Sequence, residues 1–153
     1  MLTLSIYKPF MPKESAFLDG LDINEQEYGE EFLDSLASCE MFSLYVIFGV
    51  ALFTCISYYT WYNNIVKPWG YHYRKRHWFV WMIISMVLMS VGTYIIENRC
   101  LVNIDLPGTS EFIFMLYVVN LLFIILVYFF LSIIWCNCLP TNAYRWFNWF
   151  NKK

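Results

Sequence analysis

Three apolar runs limit what this chain can fold into: Met41 to Tyr62 (MFSLYVIFGVALFTCISYYTWY), Trp78 to Ile96 (WFVWMIISMVLMSVGTYII) and Phe112 to Trp135 (FIFMLYVVNLLFIILVYFFLSIIW). A helix needs about 20 residues to cross a hydrocarbon layer of roughly 30 Å, and each run is near or above that length. A core helix of a water-soluble protein would carry a polar stripe at 3.6-residue spacing, and none of the three does. The 153 residues are 59% hydrophobic and only 14% charged, which is more apolar surface than one small soluble core hides. The predicted fold class is all-α: an integral membrane bundle of three transmembrane helices preceded by an amphipathic acidic N-terminal helix.

The chain then divides into an acidic extracytoplasmic segment 1–40 with an amphipathic helix at about 25–40, a first span 41–62, and a basic cytoplasmic loop 63–77. A second span 78–96, an extracytoplasmic loop 97–111, a third span 112–135 and a cytoplasmic interfacial tail 136–153 follow. Pro68, the Pro107-Gly108 pair and Pro140 punctuate these divisions. Thr109 or Ser110 is placed to cap the third span, with Glu111 against the positive end of its dipole. The opening MLTLSIYKPFMPKES has no basic n-region, a short apolar run and two prolines, so no cleaved signal peptide is expected.

The net charge of −2 conceals a segregation, because most carboxylates precede residue 41 and most Lys and Arg follow residue 66. Lys67, Arg74, Lys75, Arg76, Arg145, Lys152 and Lys153 fall on one side of a three-span layout, and Lys8, Lys13 and Arg99 on the other. Retention of cations on the cytoplasmic side predicts the N-terminus outside and the C-terminus inside, in a bacterial inner membrane or its equivalent. All seven tryptophans lie near the predicted inner interface, a depth that suits the indole ring.

The densest cationic cluster, WGYHYRKRHW at 69–78, is held between two spans. Nucleic-acid binding would want cations spread over a face with aromatics presented for stacking, so no nucleic acid is expected. Cations beside the N-terminus of the second span also oppose its dipole. The cluster is therefore read as a topology and lipid-headgroup device: Arg74, Lys75 and Arg76 hold the loop inside, and Trp69 and Trp78 set its depth.

In EQEYGEEFLDSLASCE, Tyr28, Phe32 and Leu36 recur at helical spacing opposite Glu27, Glu30, Glu31 and Asp34. Two readings stand: a solvated acidic helix whose apolar face lies on its own bundle or on lipid, and a partner-docking face for a basic protein. Gly29 weakens the helix by about 1 kcal/mol relative to alanine.

The spans contain no ionisable side chain of the kind a proton relay or ion path uses. Their polar groups include Thr54, Ser57, Ser85, Ser90, Thr93 and Asn120. An intramembrane amide gains from a hydrogen bond across helices, so Asn120 is expected to contact the second span or another copy of the chain. Ser85, Gly92 and Gly49 are the further candidates for close helix or partner contact.

Cys39 and Cys100 both fall at the predicted outer surface, which puts a disulfide within reach in an oxidising compartment. Cys136 and Cys138 share the inner side with His72 and His77, but C-x-C is tighter than usual zinc spacing, and no metal is assigned. Lipid attachment at Cys136 or Cys138 is the remaining use for those thiols. No phosphate loop, nucleophile elbow or H-E-x-x-H helix occurs, and neither histidine has a carboxylate on its own side. The expectation is a non-enzyme with no cofactor and no evident small-molecule substrate. Its partners would be the lipid bilayer and either another membrane protein or itself. A few short spans with small polar ends also characterise complex subunits and immunity proteins against membrane-active toxins, and either role fits. A homo-oligomeric pore lined by Ser85, Ser90, Thr93 and Asn120 is the alternative, and an accessory subunit of a membrane enzyme the third reading.

Overall fold

In the computed structural model, which describes residues 6–62, 75–101 and 106–138, each apolar run lies on a helix; the helices of the second and third runs pass both limits of their runs, and that of the first begins well before its run. The elements are α1 (Glu14–Asp19), α2 (Gln26–Thr60), α3 (Lys75–Cys100) and α4 (Thr109–Cys138), with no strand among the described residues. The last three are long and apolar enough to cross a membrane. The fold is therefore all-α, with three candidate membrane-spanning helices.

The ends of these helices follow backbone chemistry rather than hydropathy. The strong helix formers between Glu30 and Glu40 let the acidic segment run into the first span without a break. The 35 residues of α2 extend about 52 Å at 1.5 Å per residue, so the hydrocarbon layer holds only part of them. Lys75, Arg76 and His77, assigned to the loop by sequence, form the first turn of α3. Pro107 and Gly108 make the turn before α4. There the Thr109 hydroxyl donates back to the Leu106 carbonyl at 2.9 Å, and Glu111 occupies the first turn. Pro68 and Pro140 lie outside the described residues.

The described parts of Met1–Val46 and Ser90–Leu122 form one packing unit, and those of Ile47–Met89 and Phe123–Lys153 form another. In the first unit Phe17, Phe32 and Phe112 make a triangle of rings with centroids 5.2 to 6.1 Å apart. Such offset and edge-on pairs are worth about 0.5–1.5 kcal/mol each beyond the area they bury. Gly29 explains itself here: a Cβ would lie 2.7 Å from Leu21 Cδ1 and 2.9 Å from Leu18 Cδ2, where the chain after α1 crosses α2. The second unit is centred on Cys55, Tyr58, Tyr59, Trp78, Tyr128 and Cys136. Tyr59 stacks on Trp135 with centroids 5.0 Å apart and planes 7° from parallel.

The buried positions trace lines that residue type alone does not reveal. On α4 one line of them takes every fourth residue, Phe112, Leu116, Asn120, Ile124, Tyr128, Ser132 and Cys136, with Thr109 and Val119 buried beside it. On α2 they include Phe32, Leu36, Ser43, Ile47, Ala51, Thr54 and Tyr58. The outward positions are as apolar as the inward ones: Tyr45, Phe48, Phe53, Val87, Val91, Ile95 and Phe130 are all exposed. In water each would forgo about 1.5–3 kcal/mol of burial, so these faces require lipid or another apolar surface.

Two glycines test the packing. A Cβ on Gly92 would lie 2.9 Å from Val46 Cγ1, whereas one on Gly49 meets nothing within 4 Å. Gly49→Ala should therefore stabilise the protein by up to about 1 kcal/mol through helix propensity. Gly92→Ala should destabilise it by about 1–2 kcal/mol through overpacking. Reversible unfolding in mixed detergent micelles measures both, and a shared sign would refute the close approach at Gly92.

Candidate functional site

Asn120 sits midway along α4 with its amide fully engaged. Its Oδ1 accepts from the Tyr7 hydroxyl at 2.7 Å. Its Nδ2 donates to Ser43 Oγ at 3.1 Å and to Thr93 Oγ1 at 3.1 Å. All four side chains are buried. One amide thus joins the N-terminal segment, α2, α3 and α4 within the first unit. Burial, reinforced by the nearby Glu40 carboxylate, raises the Tyr7 phenol above its ordinary pKa, so the hydroxyl remains a donor at neutral pH. Both amide protons have intramolecular acceptors, and none is left for a second copy or a partner.

Ser85 and Thr93, expected to line a path between copies, are likewise buried and bonded inside the protein. Ser85 Oγ lies 2.7 Å from Thr54 Oγ1 and 3.0 Å from its own Trp81 carbonyl. The Thr54 hydroxyl donates to the Val50 carbonyl at 2.8 Å. Gly92 is a close approach to Val46, and Gly49 is not a contact at all.

The proposed docking face resolves into two parts. Phe32 and Leu36 are buried in the core of the first unit, because the aromatic triangle and the segment around α1 cover them. Only Tyr28, 55% exposed, remains outward. Beside it on the same helix, Glu27, Glu30, Glu31 and Asp34 are exposed at spacings of three and four residues. Ile23, 87% exposed, stands just before them. Residues 14 to 40 hold nine carboxylates and neither Lys nor Arg.

Below this face the first unit encloses a cavity of about 310 Å³ lined by Lys8, Lys13, Glu14, Leu36, Glu40 and Phe112, among others. Glu40 is 1% exposed. Among the described residues its Oε2 finds no hydrogen-bond partner.

The expected headgroup anchors are placed differently from one another. Trp69 and Arg74 lie outside the described residues, Lys75 opens α3, and Arg76 is exposed in its first turn. Trp78 faces the interior of the second unit. It is 4% exposed, packs on Tyr128 at 5.4 Å and donates its indole N–H to Ser132 Oγ at 3.0 Å. A hydroxyl acceptor inside the unit replaces the interfacial water that the indole would otherwise seek.

Cys39 is buried and Cys100 half-buried, and both are free thiols. Cys136 faces the Tyr59 hydroxyl at 3.2 Å, and Cys138 is exposed. His77 stacks on Tyr62 at 5.4 Å, and His72 is outside the described residues. Among the described residues no three His, Cys, Asp or Glu side chains gather as metal ligands.

Tyr7, Ser43, Glu40 and Ser132 are the site residues that sequence reasoning missed. Ser43 had a signal, as an isolated hydroxyl four residues before Ile47 and eleven before Thr54 on one helix face. Tyr7 had none, since its segment has no periodicity and its partner is 113 residues away. No family model matches the chain, nor does any curated protein or solved structure.

Removing the amide should be costly. Asn120→Leu removes three buried hydrogen bonds, to Tyr7, Ser43 and Thr93, and is expected to destabilise the protein by about 2–3 kcal/mol. Tyr7→Phe, which removes the hydroxyl that bonds Asn120, should cost about 1 kcal/mol or more and expose the N-terminal segment to limited proteolysis. Equal protease resistance of wild type and Tyr7→Phe would refute the tie.

Proposed function

We propose that this chain is a non-enzymatic integral membrane protein that recognises another membrane protein, as a complex subunit or an immunity-type inhibitor. The observation that carries the reading is the outward face of α2. Glu27, Glu30, Glu31 and Asp34 are exposed there with Tyr28, and no Lys or Arg lies nearby in sequence. Carboxylates in that number repel one another, and a basic surface relieves the repulsion while steering the encounter. Tyr28 and Ile23 supply the apolar contacts that make such an encounter specific, since aromatic anchors ringed by charge dominate interface energies.

The partner surface is thus basic, and it approaches the end of the protein that precedes the first apolar run. Replacing Glu27, Glu30, Glu31 and Asp34 with lysine should abolish co-purification of the partner in mild detergent without altering the unfolding free energy by more than about 0.5 kcal/mol per site. Undiminished partner recovery by the folded variant would sink the reading.

The distribution of Lys and Arg supports an extracytoplasmic N-terminus. In a cysteine-free background, Lys8→Cys should react with an impermeant maleimide added to intact cells, and Lys152→Cys should react only after lysis. The reverse pattern would overturn the orientation.

A further inference from the structure

We propose that the cavity at Glu40 binds an ethanolamine-phosphate headgroup, with Glu40 taking the ammonium and Lys8 and Lys13 the phosphate. Glu40 is 1% exposed and is one of the residues lining the cavity, and its buried Oε2 has no hydrogen-bond partner among the described residues. A carboxylate withdrawn from water without a partner is costly, so a cation able to donate hydrogen bonds is the ligand that relieves it. Glu14 shares the same wall and adds a second negative charge. Two carboxylates fall short of the six to eight oxygens that calcium takes, and a primary ammonium with its three donors needs only such a pair.

A simple cation is disfavoured because Lys8 and Lys13, both exposed, stand over the same cavity. A ligand that carries an anion a few ångströms from its ammonium satisfies both sets of charges. The volume of about 310 Å³ suits a headgroup and not a whole lipid, at the low end of ordinary ligand sites. The position argues for a lipid source: Glu40 immediately precedes the apolar run that begins at Met41, and Phe112 opens the run that ends at Trp135. The cavity therefore lies where apolar helix surface gives way to polar, the depth at which headgroups sit. Leu36 and Phe112 give it an apolar side along which a glycerol backbone can leave.

The test uses the full chain purified in a non-ionic detergent, titrated with phosphatidylethanolamine, phosphatidylcholine, phosphatidylglycerol and soluble phosphoethanolamine, and read by native mass spectrometry. Phosphatidylethanolamine should bind at least tenfold more tightly than phosphatidylcholine, whose quaternary ammonium donates no hydrogen bond, and than phosphatidylglycerol, which has no ammonium. Glu40→Gln should remove that tenfold preference. Should Glu40→Gln fail to fold, Lys8→Glu/Lys13→Glu alters only exposed side chains, and it should weaken phosphatidylethanolamine binding at least tenfold. Binding of phosphoethanolamine at the strength of the lipid would identify a soluble aminophosphate as the source, and lipid-only binding would identify the bilayer; either supports the headgroup chemistry. Equal binding of the three lipids, or an unchanged preference in both variants, would overturn it.

Discussion

Helices surrounded by lipid gain little from burying apolar surface against one another, so they depend on close packing and on the few hydrogen bonds that cross between them. Asn120 concentrates three such bonds in one side chain, reaching Tyr7, Ser43 and Thr93. It sets which faces of α2, α3 and α4 turn inward in the first unit. The bond to Tyr7 has a further effect, because it fixes a segment that is not part of any span. With Tyr7 held, the chain that follows is positioned so that Phe17 meets Phe32 and Phe112. Part of the wall of the Glu40 cavity comes from the same segment, which contributes Lys8 and Lys13. The amide, the aromatic triangle and the cavity are consequences of one arrangement.

The spans were legible in the sequence because length and apolarity are what lipid demands, and those properties need no knowledge of partners. The inward faces were much less so. In water an inward face stands out as apolar against polar, but here both faces are apolar, and the inward one is marked by small or weakly polar residues: Ser43, Ala51, Thr54, Ser85, Asn120 and Ser132. That contrast is faint for a single hydroxyl and clear only for an amide, which is why Asn120 could be singled out and Ser132 could not. The one-in-four recurrence of buried positions on α4 becomes visible once Asn120 is taken as inward. The segment around α1 was not legible at all, because a six-residue helix without a side-chain cap has no periodicity to read.

The acidic segment shows why two readings of one amphipathic helix need not exclude each other. Phe32 and Leu36 pack inside while Glu27, Glu30, Glu31 and Asp34 stay outside. The apolar stripe thus anchors the helix to its own unit, and that anchoring presents the carboxylates as a fixed array. A rigid array loses less side-chain freedom on meeting a complementary surface than a flexible acidic tail would. The cationic end of α3 presents a different balance. Arg76 is exposed in its first turn, against the positive end of the helix dipole at a cost of about 0.3–1 kcal/mol. At the same end of α3, Trp78 makes a buried hydrogen bond to Ser132.

The two packing units meet the same polar requirement by different chemistry. The first uses a side-chain amide with several partners, so its integrity depends on polar atoms placed within tenths of an ångström. The second relies on broad aromatic surfaces, with Tyr58, Tyr59, Tyr128, Trp78 and Trp135 in contact. There Ser132 serves as a shared acceptor, its hydroxyl taking the Trp78 N–H at 3.0 Å and its carbonyl lying 3.4 Å from the Tyr59 hydroxyl. Ring contacts tolerate small shifts, whereas an amide with three partners does not. Specificity of the fold therefore resides in the first unit, which also carries the exposed carboxylates and the Glu40 cavity. The Asn120 network holds the side chains of that unit in one geometry, and the exposed carboxylates and the cavity walls are carried on the same elements.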